Sequence, residues 1–172
     1  MSSNNKTTIT AEPGKQECLI TREFDAPREL VFEAYTDPKL IVQWLGPRDL
    51  TMTIDKFDIK SGGSYRYIHE RKGQKFAFHG VCHEVMVPER IIQTFEFEGL
   101  PEKGHVALET TRFTVLPNSR TLVTTQSVFQ SIADRDGMVE SDMERGVREG
   151  HERLAELLTS MTPKAHSAES SV

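Results

Sequence analysis

The chain has 172 residues, of which 37% are hydrophobic and 27% charged, and its formal net charge is −5. That length suits one domain, which would bury roughly 70% of the surface of its unfolded chain and needs no staple to hold a core. The acidic balance, with no basic run denser than "HERKGQK" (69–75), argues against a nucleic-acid partner.

Residues 1–15 are polar and carry Pro13-Gly14, which reads as a disordered leader. The segment has no apolar stretch and is no signal peptide. No run anywhere approaches the ~18 apolar residues of a membrane span, so no membrane insertion is expected and the cytoplasm is the expected compartment. Cys18 and Cys82 form neither a zinc pattern nor a disulfide framework and are expected as free thiols.

The ordered domain is expected over 16–159. "ECLITREFDA" (17–26) reads as a strand, rich in β-branched residues. Pro27 then opens a helix that puts Leu30, Val31 and Ala34 on one stripe. Asp37 is a good N-cap and Pro38 a good first residue for a second helix, which carries Leu40, Ile41, Trp44 and Leu45 and stops at Gly46-Pro47. From about 50 to 130 the pattern becomes six strands broken by short turns, an antiparallel meander. From Ser131 a capping-box-like start leads to a long helix, regular from about Met138. Val139, Met143, Val147, Leu154 and Leu158 make its apolar stripe. Residues 160–172 read as a flexible tail.

The order implies an α+β domain: a curled sheet of about seven antiparallel strands, two short helices after the first strand, and a long C-terminal helix over the concave face. That helix contains Gly146 and Gly150, each costing about 1 kcal/mol relative to alanine, followed by His151 on the inner stripe. Removing side chains from a lid helix either lets the helix drop closer or leaves a hollow beneath it.

The stretches "TREFDAPRELVFEAYTDPKLIVQWLGP" (21–47), "SGG" with "YRY" (61–67), "FHGVCHEV" (78–85), "PERIIQTFEFEG" (88–99), "SVFQS" (127–131) and the "MERG" and "ERLAELL" of the last helix resemble the START-like helix-grip (SRPBCC) superfamily. Within it, the sequence is similar to the C-terminal domain of the activator of the heat-shock protein 90 ATPase. The resemblance covers about 17–158. It implies a helix-grip fold with a hydrophobic cavity under the C-terminal helix, and no single reaction, since relatives include lipid and polyketide binders and cyclases. The chain departs from the pattern at Phe57 and Tyr65, where Trp is common, at Cys82, where an aromatic is usual, and at His151, which replaces an aromatic or large apolar residue.

Tyr65, Tyr67 and His69 alternate on one strand and share a face. With Trp44, Phe78, Phe95, Met143, Val147 and His151 they form the expected ligand-binding set. His79 and His83 lie about 13 Å apart along their strand, too far to share a metal, and no metal or cofactor is expected. Glu84 and Arg90 flank the "VMVPER" turn and read as an ion pair pinning a hairpin, with a buried acid and its partner tuned for proton transfer as the alternative. No Gly-x-Ser-x-Gly, phosphate loop or HExxH occurs, and no catalytic residue is assigned.

The expected function is binding of a small hydrophobic molecule, aromatic or lipid-like. Two alternatives stay open: a cyclase- or hydrolase-type enzyme using His151, Tyr65 and Tyr67, and a co-chaperone-like interaction domain. An exposed sheet edge also offers a route to a homodimer.

Overall fold

The computed structural model describes residues 5–161. The strands are β1 (Thr8–Thr10), β2 (Glu17–Phe24), β3 (Thr51–Phe57), β4 (Ser64–Arg71), β5 (Gln74–Met86), β6 (Arg90–Phe97), β7 (Ala107–Leu116) and β8 (Arg120–Val128). The helices are α1 (Arg28–Thr36), α2 (Pro38–Ile41), α3 (Ile132–Glu140) and α4 (Met143–Met161). All strands join one antiparallel sheet in the order β1-β2-β8-β7-β6-β5-β4-β3. The six-strand meander is present as expected, and β2 closes it by pairing with β8. Bulges between Ile54 and Lys56 and between Cys82 and Glu84 add local bend to the sheet.

Four expectations are corrected. The segment 1–15 is not wholly unpaired: Thr8–Thr10 forms an eighth strand on the edge of β2. Its residues are half-buried or exposed, so no alternation announced it. The second helix is shorter than expected: α2 ends at Ile41, and tighter turns continue to Leu45 through bonds such as Gln43 N–H to the Leu40 carbonyl at 3.0 Å. The last helix is two helices. Asp142 takes the left-handed conformation, φ 68°, which Asp tolerates better than most residues, and α4 starts afresh after it. Regular helix begins at Ile132, ahead of the expected Met138, with Gly137 inside α3. Of the expected tail, Ser160 and Met161 belong to α4 and 162–172 lies outside the described residues.

The caps follow the sequence. Asp37 accepts a hydrogen bond from Lys39 N–H at 2.8 Å, and Ser131 accepts one from Asp134 N–H at 3.0 Å, satisfying amides that the first turn leaves without a partner. The Glu84–Arg90 pair closes its hairpin at 2.6–2.7 Å.

The core has two parts. The larger cluster joins α1, the sheet and the C-terminal half of α4 through Phe24, Val31, Phe32, Phe113, Val123, Leu154 and Leu158. The smaller centres on Cys18, Ile20, Ala107 and Phe129, with Met138, Met143 and Val147 packed on it. Leu154 and Leu158 seal one end of α4 on the sheet. The other end, with Gly146, Gly150 and His151, roofs a hollow.

Candidate functional site: a roofed cavity with an aromatic wall and a polar floor

The cavity measures about 540 Å³, within the roughly 300–1,000 Å³ of sites that take drug-sized ligands. All nine residues expected to contact a ligand line it: Trp44, Tyr65, Tyr67, His69, Phe78, Phe95, Met143, Val147 and His151. It reaches the surface at the α3–α4 junction, where the exposed Ser141 and Asp142 line it. There Asp49 pairs with Arg71 of β4 at 2.7 Å and with Arg145 of α4 at 3.4 Å, tying sheet and helix across the rim.

One wall is aromatic. Tyr65 stacks on Tyr67 at 6.1 Å, Tyr67 on Phe78 at 5.2 Å and Phe78 on Phe95 at 5.3 Å. Strand alternation puts these rings on one face, and the register pairs Tyr67 directly with Phe78. The Tyr65 hydroxyl donates to the Thr94 carbonyl at 2.6 Å. Gly80 makes that possible, since a Cβ there would lie 2.0 Å from the same carbonyl and 2.7 Å from the hydroxyl. The Tyr67 hydroxyl has no hydrogen-bond partner among the described residues. Burial pushes both phenols well above their ordinary value.

Trp44 anchors the segment after α2, its indole N–H donating to the Ala34 carbonyl at 2.9 Å. Gly46 follows at φ 96°, and a Cβ there would lie 2.7 Å from the His69 ring. His69 is buried, its Nε2 lacks a partner, and burial lowers its pKa.

The glycines of α4 now separate. A Cβ on Gly150 would come within 3.2 Å of the Gly46 amide nitrogen and the Trp44 carbonyl, so the helix rests there on the backbone of the segment after α2. Arg153 reinforces that seat, donating to the carbonyls of Gln43, Gly46 and Pro47. A Cβ on Gly146 would meet only the Pro47 side chain, at 3.5 Å. The missing side chains thus do both things: one permits close approach, and both border open space.

His151 is buried beside the cavity. Its Nδ1 is 2.8 Å from the Thr7 hydroxyl, and its ring meets Phe24 edge-on at 5.6 Å. Burial first, then the nearby Arg22 and Arg148, lower its pKa to about 4, so it is neutral at neutral pH. Among the described residues no hydrogen bond joins His151 to Tyr65 or Tyr67. Two further histidines pair elsewhere: His79 meets Glu98 at 2.9 Å and His105 meets Asp134 at 3.0 Å. No group of three potential metal ligands occurs among the described residues.

The floor holds what the sequence reading missed. Pairing aligns Cys82, Gln93, Glu109, Ser127 and Cys18 as one row across β5, β6, β7, β8 and β2. Thr111 and Thr125 lie in the next row but one, hydroxyls 3.2 Å apart. Glu109 accepts from the Ser127 hydroxyl at 3.2 Å. It sits deep in the fold yet is only half-buried by area, because its accessible surface faces the cavity. Burial raises its pKa, against the pull of Ser127 and Gln93. The strand "ALETTRFTVL" carries apolar residues on both faces, Ala107 and Phe113 inward and Leu108 outward, so its phase was not legible.

A curled antiparallel sheet gripping a C-terminal helix around an apolar hollow defines a START-like helix-grip domain. The chain belongs to the family described as Activator of Hsp90 ATPase homolog 1-like protein, whose family model matches residues 25–159. Solved structures agree in fold. Protein Ms6760 from Mycobacterium smegmatis is 20% identical with a TM-score of 0.80, covering 93% of this chain and 99% of its own. A protein from Arthrobacter aurescens is 25% identical with a TM-score of 0.80, covering 89% and 91%. One from Rhodobacter sphaeroides is 22% identical with a TM-score of 0.80, covering 91% and 100%. The comparison with curated proteins finds no match. No helix among the described residues is long and apolar enough to cross a membrane.

Proposed function

We propose that this protein binds a small, largely apolar molecule, aromatic in part, between α4 and the sheet. The observation that carries the reading is the roofed cavity of about 540 Å³ walled by Tyr65, Tyr67, Phe78 and Phe95. An empty apolar hollow forfeits dispersion contacts along its lining, and a ligand of matching shape restores them. The Tyr65 hydroxyl is spent on a backbone carbonyl and His151 on Thr7, an arrangement that favours holding a ligand over moving protons.

Trp44 is the sole tryptophan and lines the cavity, so its fluorescence reports occupancy. Titration with a panel of bicyclic and tricyclic aromatic compounds should change that emission saturably and raise Tm by several degrees for the tightest binders. Val147→Phe, which fills space from the roof without adding a second indole, should weaken both responses while keeping the sheet's circular dichroism. A panel that leaves emission and Tm unmoved would overturn the reading.

A further inference from the structure

Glu109 gives the hollow a chemical polarity that its apolar lining alone does not explain. The other charged side chains on the lining lie at the rim and are paired. Arg71 meets Asp49 at 2.7 Å, and Arg145 meets Asp142 at 3.1 Å and Glu149 at 3.3 Å. Both lining histidines have lowered pKa values and carry no charge at neutral pH. Glu109 stands on the floor hydrogen-bonded to the neutral Ser127, with Gln93 beside it, and no ion pair to it occurs among the described residues. Its cross-strand neighbour Gln93 stands two residues from Phe95 on the same face of β6, so Glu109 lies beside the aromatic wall. A carboxyl group in such a place is costly as an anion unless a cation joins it. A stacked aromatic wall is a surface that attracts cations to its ring faces. A ligand carboxylate would instead bring a like charge to the same floor.

We propose that the cavity selects aromatic amines in their protonated form, with the ammonium group held by Glu109 beside the unpartnered Tyr67 hydroxyl and the ring body stacked along Tyr67, Phe78 and Phe95. The proposal rests on the reading that the cavity binds small apolar molecules. It adds the head group: a primary or secondary ammonium is chosen over a neutral alcohol, and a carboxylate of the same body is rejected. The rim arginines do not reverse this preference, because each is already bound to an acid.

The test uses three ligands with one body, 2-(biphenyl-4-yl)ethylamine, 2-(biphenyl-4-yl)ethanol and biphenyl-4-ylacetate, titrated calorimetrically into the full chain at pH 7. The amine should bind at least about tenfold tighter than the alcohol, and the carboxylate weakest of all. In Glu109→Gln, which keeps the shape, the amine's advantage should vanish while the alcohol stays within about threefold of its wild-type affinity. That second figure also checks that the variant folds. Independently of any variant, the ¹³C resonance of the Glu109 carboxyl carbon should move when the amine is added and stay in place with the alcohol. An alcohol or carboxylate that binds as well as the amine, or a Glu109 resonance that ignores the amine, overturns the amine preference and leaves the cavity reading standing. Failure of all three to bind overturns the cavity reading and the preference with it.

Discussion

His151 occupies a position where an apolar side chain would have closed the cavity roof, and its surroundings hold it neutral. Phe24 contacts its ring, Thr7 engages Nδ1, and the two charges that act on it, Arg22 and Arg148, are both positive. Arg22 itself sits over the Phe24 ring at 4.9 Å with a buried Nε that lacks a partner. The folded protein therefore resists protonating His151, whereas the unfolded chain takes that proton near pH 6.5. Unfolded chains bind more protons than folded ones in that window, so stability falls as pH falls. The contribution is intact above 6.5 and is lost as pH drops through about 4. The full interval is worth about 3 kcal/mol. Glu109, with its raised pKa, acts in the opposite sense, but it is present in a His151→Gln variant too and cancels in the comparison. Between pH 7 and pH 4.5 the wild type should lose about 2 kcal/mol more than His151→Gln, read from urea midpoints at each pH. Equal losses would show that His151 titrates normally.

At the level of elements, α4 carries two glycines with different tasks. The sequence showed that something was odd about the helix, because both fall on or beside the apolar stripe, but spacing alone could not distinguish a seat from a gap. Contact geometry does. At Gly150 an added methyl would press on the Gly46 amide and the Trp44 carbonyl, backbone atoms in a segment that Arg153 clamps from the same helix. At Gly146 it would meet the Pro47 side chain at ordinary van der Waals distance. Gly146→Ala should therefore realise most of the helix-propensity gain and stabilise the protein by about 0.5–1 kcal/mol. Gly150→Ala should forfeit that gain to the forced separation and come out destabilised by about 1 kcal/mol. Thermal melts of the two variants against wild type decide it; two variants of equal Tm would mean the helix seat yields freely. The division of the last helix was hidden for a related reason. Gly137 sits inside α3 without breaking it, while Asp142 makes the break with a residue that carries no strong stop signal.

For the molecule as a whole, alternation and turn signals specified the meander, and the cavity followed from a lid helix too thin at one end to fill the space beneath it. Trp44, Tyr65, Tyr67 and His69 were readable because local pattern fixed their faces. Glu109 was not, because only the pairing of β7 with β6 and β8 says which side of that strand is inside. The N-terminal arm was illegible in the same way. "TIT" is three residues in a polar stretch, and only β2 makes it a strand. Its role is long-range. Arg148 donates to the Thr7 carbonyl at 2.5 Å, the Thr7 hydroxyl meets His151, and Arg120 donates to the Asn5 side chain at 2.6 Å. Ile9 packs on the smaller core cluster. The arm thereby covers the edge of β2, a row of backbone donors and acceptors that would otherwise be free to pair with another chain. Deleting residues 1–10 should uncover that edge, remove the shield over His151, and lower Tm by about 5 °C or more through the lost hydrogen bonds and burial. Light scattering after size exclusion should then show more associated species for the truncated chain than for the full one at equal concentration. In the same sample the His151 ring resonances should titrate closer to pH 6.5. A truncated chain with unchanged mass, unchanged Tm and a His151 that still titrates near 4 would mean that the arm neither guards the edge nor closes the roof.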